Sequence, residues 1–165
     1  LEAEKVPLAK ELLAQAALRK VTVLLPCDHV ITTSLDAGSE VKTREAVDIP
    51  EGWLGADIGL KTCDAFAKAL ADARTVVWNG PVGVFEQPRF CGGSRRIAEA
   101  LAKLKGKATT VIGGGDTAAC VQQLKLGDRM SHISTGGGAS LEFLEGKTLP
   151  GIAILLDKKN MTVYR

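Results

Sequence analysis

Val76-Val77-Trp78-Asn79-Gly80-Pro81-Val82-Gly83-Val84-Phe85-Glu86, Val111-Ile112-Gly113-Gly114-Gly115-Asp116-Thr117 and His132-Ile133-Ser134-Thr135-Gly136-Gly137-Gly138-Ala139-Ser140 share one plan. Each is a short apolar, β-branched segment that stops at clustered glycines. A strand that ends this way and restarts as a helix leaves bare backbone N–H groups at a helix N-terminus, where the helix dipole favours negative charge. One such turn is weak evidence for a phosphate site. Three in succession, one carrying Asp116 and Thr117, point to a nucleotide site at one edge of a parallel sheet.

The flanking sequence supplies the rest of that sheet. Strands are predicted at Val21–Leu25, Thr75–Trp78, Thr109–Ile112 and Ser131–Thr135. Helices are predicted over Val6–Arg19, after the loop Gly52–Gly59, from an N-cap at Ser94, over Asp116–Leu126 and over Ala139–Leu144. Their apolar stripes are Leu8, Ala9, Leu12, Leu13 and Ala16; then Cys63, Phe66, Ala67 and Leu70; then Ile97, Ala98, Leu101 and Leu104; then Ala119, Val121 and Leu124. Gly127 and Gly146 close the last two helices. Asp28–Pro50 carries a weak signal: Ile31–Thr33 is extended, and Asp36–Arg44 is a polar surface excursion with poorly paired strands. Strands alternating with helices predict an α/β fold: a parallel, doubly wound, Rossmann-like sheet with helices on both faces. Ligands of such sheets sit outside the carboxyl ends of the strands, where all three glycine turns lie. Ile152–Leu156 is strand-like, Asp157–Asn160 is turn-like, and Met161–Arg165 is either a further strand or a disordered end.

Bulk composition excludes other classes. With 165 residues, 45% hydrophobic and 24% charged, the chain fits one domain or a large piece of a bigger one. A net charge of +2 makes no case for nucleic acid or an anionic membrane. The apolar runs fall well short of the roughly 20 residues a membrane span needs. A start at Leu1 rather than methionine suggests a fragment or a processed chain, and no signal peptide is evident. Cys27, Cys63, Cys91 and Cys120 are widely spaced, which argues against a zinc cluster and for reduced, semi-buried packing residues in a cytoplasmic setting.

Phosphoryl transfer needs positioned phosphates, a metal ion and charge neutralisation. The glycines of Gly113–Gly115 let backbone approach phosphate, and Asp116 can hold Mg²⁺ or simply cap its helix. Gly136–Gly138 can close over the same phosphates or serve as a tight turn for helix–strand packing. Glu86 is either a ribose acceptor or a solvated surface acid. Trp78 and Phe85 read as core, and His132, inside a strand, as a hydrogen-bonded core histidine rather than a base. Walker-A, zinc-protease and nucleophile-elbow motifs are absent.

The segments Trp78–Glu86, Gly113–Thr117 and Ser131–Glu142 closely resemble the signature segments of phosphoglycerate kinase, and Gly52–Gly59 resembles its adenine-side loop. Leu25–Asp28 and Leu149–Gly151 fit as well, so the resemblance runs from about Val6 to Ile152. That family has two hinged domains and passes a phosphoryl group between 1,3-bisphosphoglycerate and ADP, giving 3-phosphoglycerate and MgATP. The resemblance covers the later part of the C-terminal, nucleotide-binding domain, here residues 1–152, with 153–165 as an atypical tail. It implies that Gly55 lies by the adenine, that Asn79, Gly80, Pro81 and Val84 line the nucleotide pocket, and that Glu86 contacts the ribose. It further implies that Gly114, Gly115, Asp116 and Thr117 meet the phosphates and the metal, with Asp116 on Mg²⁺. Gly136 and Gly137 would lie near the transferred group, and Gly115 and Gly137 are the candidate catalytic positions. The family's basic phosphoglycerate site and its lysine-bearing phosphate segment have no counterpart here, and Ala56 stands where a bulkier apolar residue is expected. The implied partners are ADP/ATP and, through the other domain, the phosphoglycerates, in a monomeric cytoplasmic parent. A stand-alone nucleotide-binding module and a non-binding structural fragment are the alternative readings.

Overall fold

The computed structural model describes residues 2–155. Its elements in chain order are α1 (Val6–Leu18), β1 (His29–Thr32), β2 (Val41–Arg44), β3 (Leu54–Ile58), α2 (Leu60–Leu70), β4 (Thr75–Asn79), α3 (Gly92–Ala102), β5 (Thr109–Gly113), α4 (Gly115–Gln123), β6 (His132–Ser134), α5 (Gly137–Leu144) and α6 (Pro150–Ala153). The strands form two sheets, an antiparallel β2-β1-β3 and a parallel β4-β5-β6. The parallel sheet is in continuous register, from Thr75 opposite Thr109 to Asn79 opposite Gly113, and from Val111 opposite His132 to Gly113 opposite Ser134. All three strands therefore stop at one level, and the three glycine turns leave from one edge.

The core lies on one face of this sheet. Trp78 and Ile112 pack with Ile97, Ala98 and Leu101 of α3 and with Cys120 and Val121 of α4. Burying a side chain such as Leu101 or Ile112 completely contributes about 1.5–3 kcal/mol. Trp78 and Phe85 are core residues, as their sequence context suggests. α5 and α6 stand over the opposite face, where Val77, Val111, Phe143, Leu144, Leu149 and Ile152 line an apolar cavity of about 430 Å³.

Several expected features differ. Val21–Leu25 joins no ladder, and its apolar side chains are exposed; a β-branched run becomes a strand only beside a neighbour with free backbone groups. α1 forms as expected, yet it buries no residue, and Leu8 and Leu12 are each 54% exposed. Gly52–Gly59 is not simply a loop, since Leu54–Ile58 is strand β3. The polar excursion Asp36–Arg44 is not poorly paired: its last four residues, Val41–Arg44, are β2 of the antiparallel sheet β2-β1-β3, paired from His29 opposite Arg44 to Thr32 opposite Val41. Ser94 sits inside α3, whose N-cap is Cys91, and its buried hydroxyl accepts the Val82 N–H at 3.1 Å.

In α4 Ala118 and Cys120 are buried, while Ala119 faces solvent. That helix ends at Lys125 (φ 57°) in the left-handed conformation rather than at Gly127, with the Leu126 N–H closing on the Val121 carbonyl at 3.1 Å. His132 is exposed rather than in the core. Ile152 and Ala153 belong to α6 rather than to a strand, and Met161–Arg165 lies outside the described residues. Cys63, Cys91 and Cys120 are buried and Cys27 is exposed; all four are free. No helix of the described residues is long and apolar enough to cross a membrane.

Candidate functional site

The turn after β4 is held by three different elements. Trp78 Nε1 donates to the Gly80 carbonyl at 2.9 Å, which folds the turn back on its own strand. Gly80 (φ 103°) donates its N–H to Thr117 Oγ1 of α4 at 2.8 Å, Val82 donates to Ser94 of α3, and Val84 donates to the Ala56 carbonyl of β3 at 2.9 Å. Ala56 can accept because β3 carries a bulge there: Asp57 pairs with Val30 and Gly55 with Ile31, leaving Ala56 unmatched in the ladder. Gly55 and Val84, far apart in sequence, thus meet at one point.

Asp57 makes that junction rigid. It is 5% exposed, and its carboxylate accepts the Gly93 N–H at the start of α3 and the Ile58 N–H, each at 2.8 Å. A Cβ on either Gly83 or Gly93 would run into this carboxylate. Burial pushes the Asp57 pKa above its ordinary value, although the N–H groups of Gly93, Ile58 and Gly92 oppose the shift. Asp28 does related work for α2: it accepts from the Lys61 and Thr62 N–H groups at 2.9 and 2.8 Å, capping a helix more than thirty positions away in sequence. There burial also pushes upward, but the hydrogen bonds of Thr62 and Lys61 outweigh it and the pKa is lowered. Neither aspartate stands out in the sequence as more than an isolated polar residue. The only available signal for Asp57 is the need for glycine at two distant positions.

The glycine turns of β4, β5 and β6 converge. A Cβ at Gly113 would lie 3.1 Å from Asn79 Nδ2, and one at Gly114 would lie 3.3 Å from Asn79 Oδ1. Gly114 is the N-cap of α4 with φ 89°, a conformation that side chains rarely adopt. A Cβ at Gly137 would lie 2.8 Å from the Gly114 Cα, so the N-termini of α4 and α5 touch backbone to backbone. The first N–H groups of each helix have no intrahelical acceptor. Both positive dipole ends therefore lie side by side, next to Asn79.

The structure brings together Asn79, Gly80, Gly114, Gly115, Thr117 and Gly137, with Gly136 exposed next to them and Pro81 half-buried in the same turn. Thr117 is buried, and its hydroxyl ties the β4 turn to α4. Asp116 is the exposed acidic residue in the first turn of α4; the cap position belongs to Gly114, and no side chain caps this helix. Its carboxylate is thus left to solvent at the anion-binding end. Gly55 and Val84 form a second cluster through Ala56. Glu86, at the end of the turn that follows β4, is exposed and lines a cavity with Leu35 and Pro88. Among the described residues no group of three His, Cys, Asp or Glu side chains could hold a metal ion. The exposed Asp116 carboxylate is the kind of hard oxygen donor that Mg²⁺ takes, an ion commonly bound through one or two carboxylates and substrate phosphates.

Comparison with known proteins places the chain in a family. The family model for phosphoglycerate kinase matches residues 1–147. The chain is 55% identical to a phosphoglycerate kinase of Pseudothermotoga lettingae over 159 residues, 96% of this chain and 40% of that protein. It is 52% identical to a chloroplastic phosphoglycerate kinase of Volvox carteri, over 95% of this chain and 34% of that one. The solved structure of phosphoglycerate kinase from Coxiella burnetii superposes with a TM-score of 0.85 at 40% identity, covering 93% of this chain and 39% of the other. The chain spans about 40% of the length of the curated bacterial relatives it matches. With a matched fold and a family model covering most of its length, the chain belongs to the phosphoglycerate kinase family.

Proposed function

We propose that this chain is the nucleotide-binding part of a phosphoglycerate kinase, which transfers a phosphoryl group reversibly from 1,3-bisphosphoglycerate to MgADP. Residues 1–152 supply the later part of the nucleotide domain, and a partner domain supplies the phosphoglycerate site. The observation that carries this reading is the contact of Gly137 with Gly114, which sets two helix N-termini side by side over Asn79. Backbone N–H groups of Gly114, Gly115 and Thr117 hold ADP phosphates, and those at Gly136 and Gly137 face the group in transfer. Asp116 holds Mg²⁺, which when bound neutralises the phosphate charge and orients the oxygens. Gly115 and Gly137 act through their backbones, because a side chain at either would occupy space that phosphate needs.

The Gly55–Val84 junction forms the adenine side, Asn79, Gly80 and Pro81 line the pocket between, and Glu86 accepts from ribose hydroxyls. The parent protein is a cytoplasmic monomer, a setting in which four free thiols persist. Backbone shift mapping by NMR with MgADP tests the site. Gly55, Val84, Glu86, Gly114–Thr117 and Gly136 should respond together, and shifts confined to residues 36–44 would refute it.

A further inference from the structure

Arg89 lies outside the glycine turns, yet it joins two distant stretches of chain. Its guanidinium donates to the Leu35 carbonyl at 2.9 Å, the Asp36 carbonyl at 2.7 Å, Ser39 Oγ at 3.1 Å and Gln87 Oε1 at 3.0 Å. It also stacks over the ring of the fully buried Phe90, 4.5 Å from its centroid. Gln87 adds a bond of its own, from Nε2 to the Leu35 carbonyl at 2.9 Å. Residues 35–39 are thereby strapped against the segment that follows Glu86. Between strap and segment lies a cavity of about 550 Å³, with Leu35, Ala37 and Gly38 on one side and Glu86 and Pro88 on the other.

The Glu86 carboxylate is exposed and makes no hydrogen bond or ion pair among the described residues. The backbone on either side therefore sets the point from which this side chain reaches out. On the N-terminal side the chain is pinned by the Val84 N–H on Ala56, and Gln87 closes the turn by donating to the Val84 carbonyl at 3.0 Å. On the C-terminal side it is pinned by Gln87 and Arg89 on the strap. We infer that Arg89, assisted by Gln87, is a positioning residue that holds the Glu86 backbone at the place from which its carboxylate reaches the ribose hydroxyls of the nucleotide. The inference rests on the reading of Glu86 given under Proposed function. A guanidinium suits the task because its planar fork serves several acceptors at once, whereas a lysine ammonium offers a point charge on a flexible stem.

The test compares binding of MgADP and of 2′,3′-dideoxy-ADP with magnesium to the 165-residue chain, by NMR titration. The wild-type chain should favour ADP by on the order of tenfold, the effect of hydrogen bonds to a charged group. Arg89→Lys should reduce that preference to about twofold while leaving dideoxy-ADP affinity unchanged, and Gln87→Ala should reduce it by less. Glu86→Ala should abolish it. Equal weakening of both nucleotides by Arg89→Lys would assign Arg89 a general structural role and overturn the inference. The inference also fails if Glu86→Ala abolishes the preference while Arg89→Lys and Gln87→Ala retain it, and the reading of Glu86 would then stand. A wild-type chain that shows no preference, or a Glu86→Ala variant that keeps it, would remove the reading of Glu86 and the inference with it.

Discussion

Replacing Gly137 by alanine should separate the two helix N-termini that define the site, and the adjacent Gly138 provides the control. A methyl group at 137 falls 2.8 Å from the Gly114 Cα and 3.3 Å from its N, whereas ordinary contact begins at 3.4 Å. Both obstructing atoms are backbone. Gly114 has little room to retreat, because it is held at φ 89° beside Asn79 and its carbonyl accepts the Ala118 N–H at 3.0 Å. Overpacking of this kind costs about 1–3 kcal/mol. Alanine recovers at most about 1 kcal/mol of helix propensity in α5, so Gly137→Ala should destabilise by about 1–2 kcal/mol.

Gly138 has nothing within 4 Å of an added Cβ, and its backbone is not left-handed. Gly138→Ala should therefore stabilise by about 0.5–1 kcal/mol. The two variants, one methyl group each at neighbouring positions, should differ by roughly 2 kcal/mol, or about 4–8 °C in Tm for a chain of this size. Urea unfolding and thermal melts measure the difference, and Gly137→Ala should also bind MgADP more weakly. A Gly137→Ala midpoint at or above wild type would show that the turns of β5 and β6 do not meet as described.

The two buried aspartates should show opposite pH dependence. Asp28 has a lowered pKa, so its contribution is present above the ordinary carboxylate value of 3.8 and is lost as pH falls through the lower folded value. Asp57 has a raised pKa, so its ionisation costs stability as pH rises from 3.8 through the higher folded value. On acidification the stability gap between wild type and Asp28→Asn should narrow, while wild type should gain on Asp57→Asn. Unfolding midpoints in an acid series check this, and two gaps moving in the same direction would contradict it. Asp116→Ala should leave affinity for metal-free ADP unchanged but remove the strengthening by magnesium; calorimetry with and without the ion decides, and full retention of the magnesium effect would mean that Asp116 holds no metal. The chain by itself should show negligible phosphoglycerate kinase turnover in a coupled assay, since lost positioning of the second substrate forfeits roughly 7–11 kcal/mol of barrier lowering. Turnover within about tenfold of an intact relative would refute that expectation.

The sequence by itself determined whatever depends on neighbours along the chain. The β-branched runs at Thr75–Trp78 and Thr109–Ile112 form strands, and the stripe Ile97, Ala98, Leu101 and Leu104 is buried. The glycine clusters after β5 and β6 open helices α4 and α5, whereas the cluster after β4 leads into a long turn and α3 begins only at Gly92. These features follow from local φ/ψ preference and side-chain period, which a single stretch of residues carries. Tertiary structure alone decided which segments find partners. Val21–Leu25 has as strong a strand signal as β4 but joins no ladder, and α1 has an apolar stripe with nothing packed on it. The β3 bulge that offers Ala56 to Val84, the Asp57 carboxylate among the N–H groups of α3, and the Arg89 strap all join residues about thirty or more positions apart. Hydrogen bonds and steric fit between such residues exist only after the chain has folded, because sequence pattern encodes which groups seek partners and not where the partners stand.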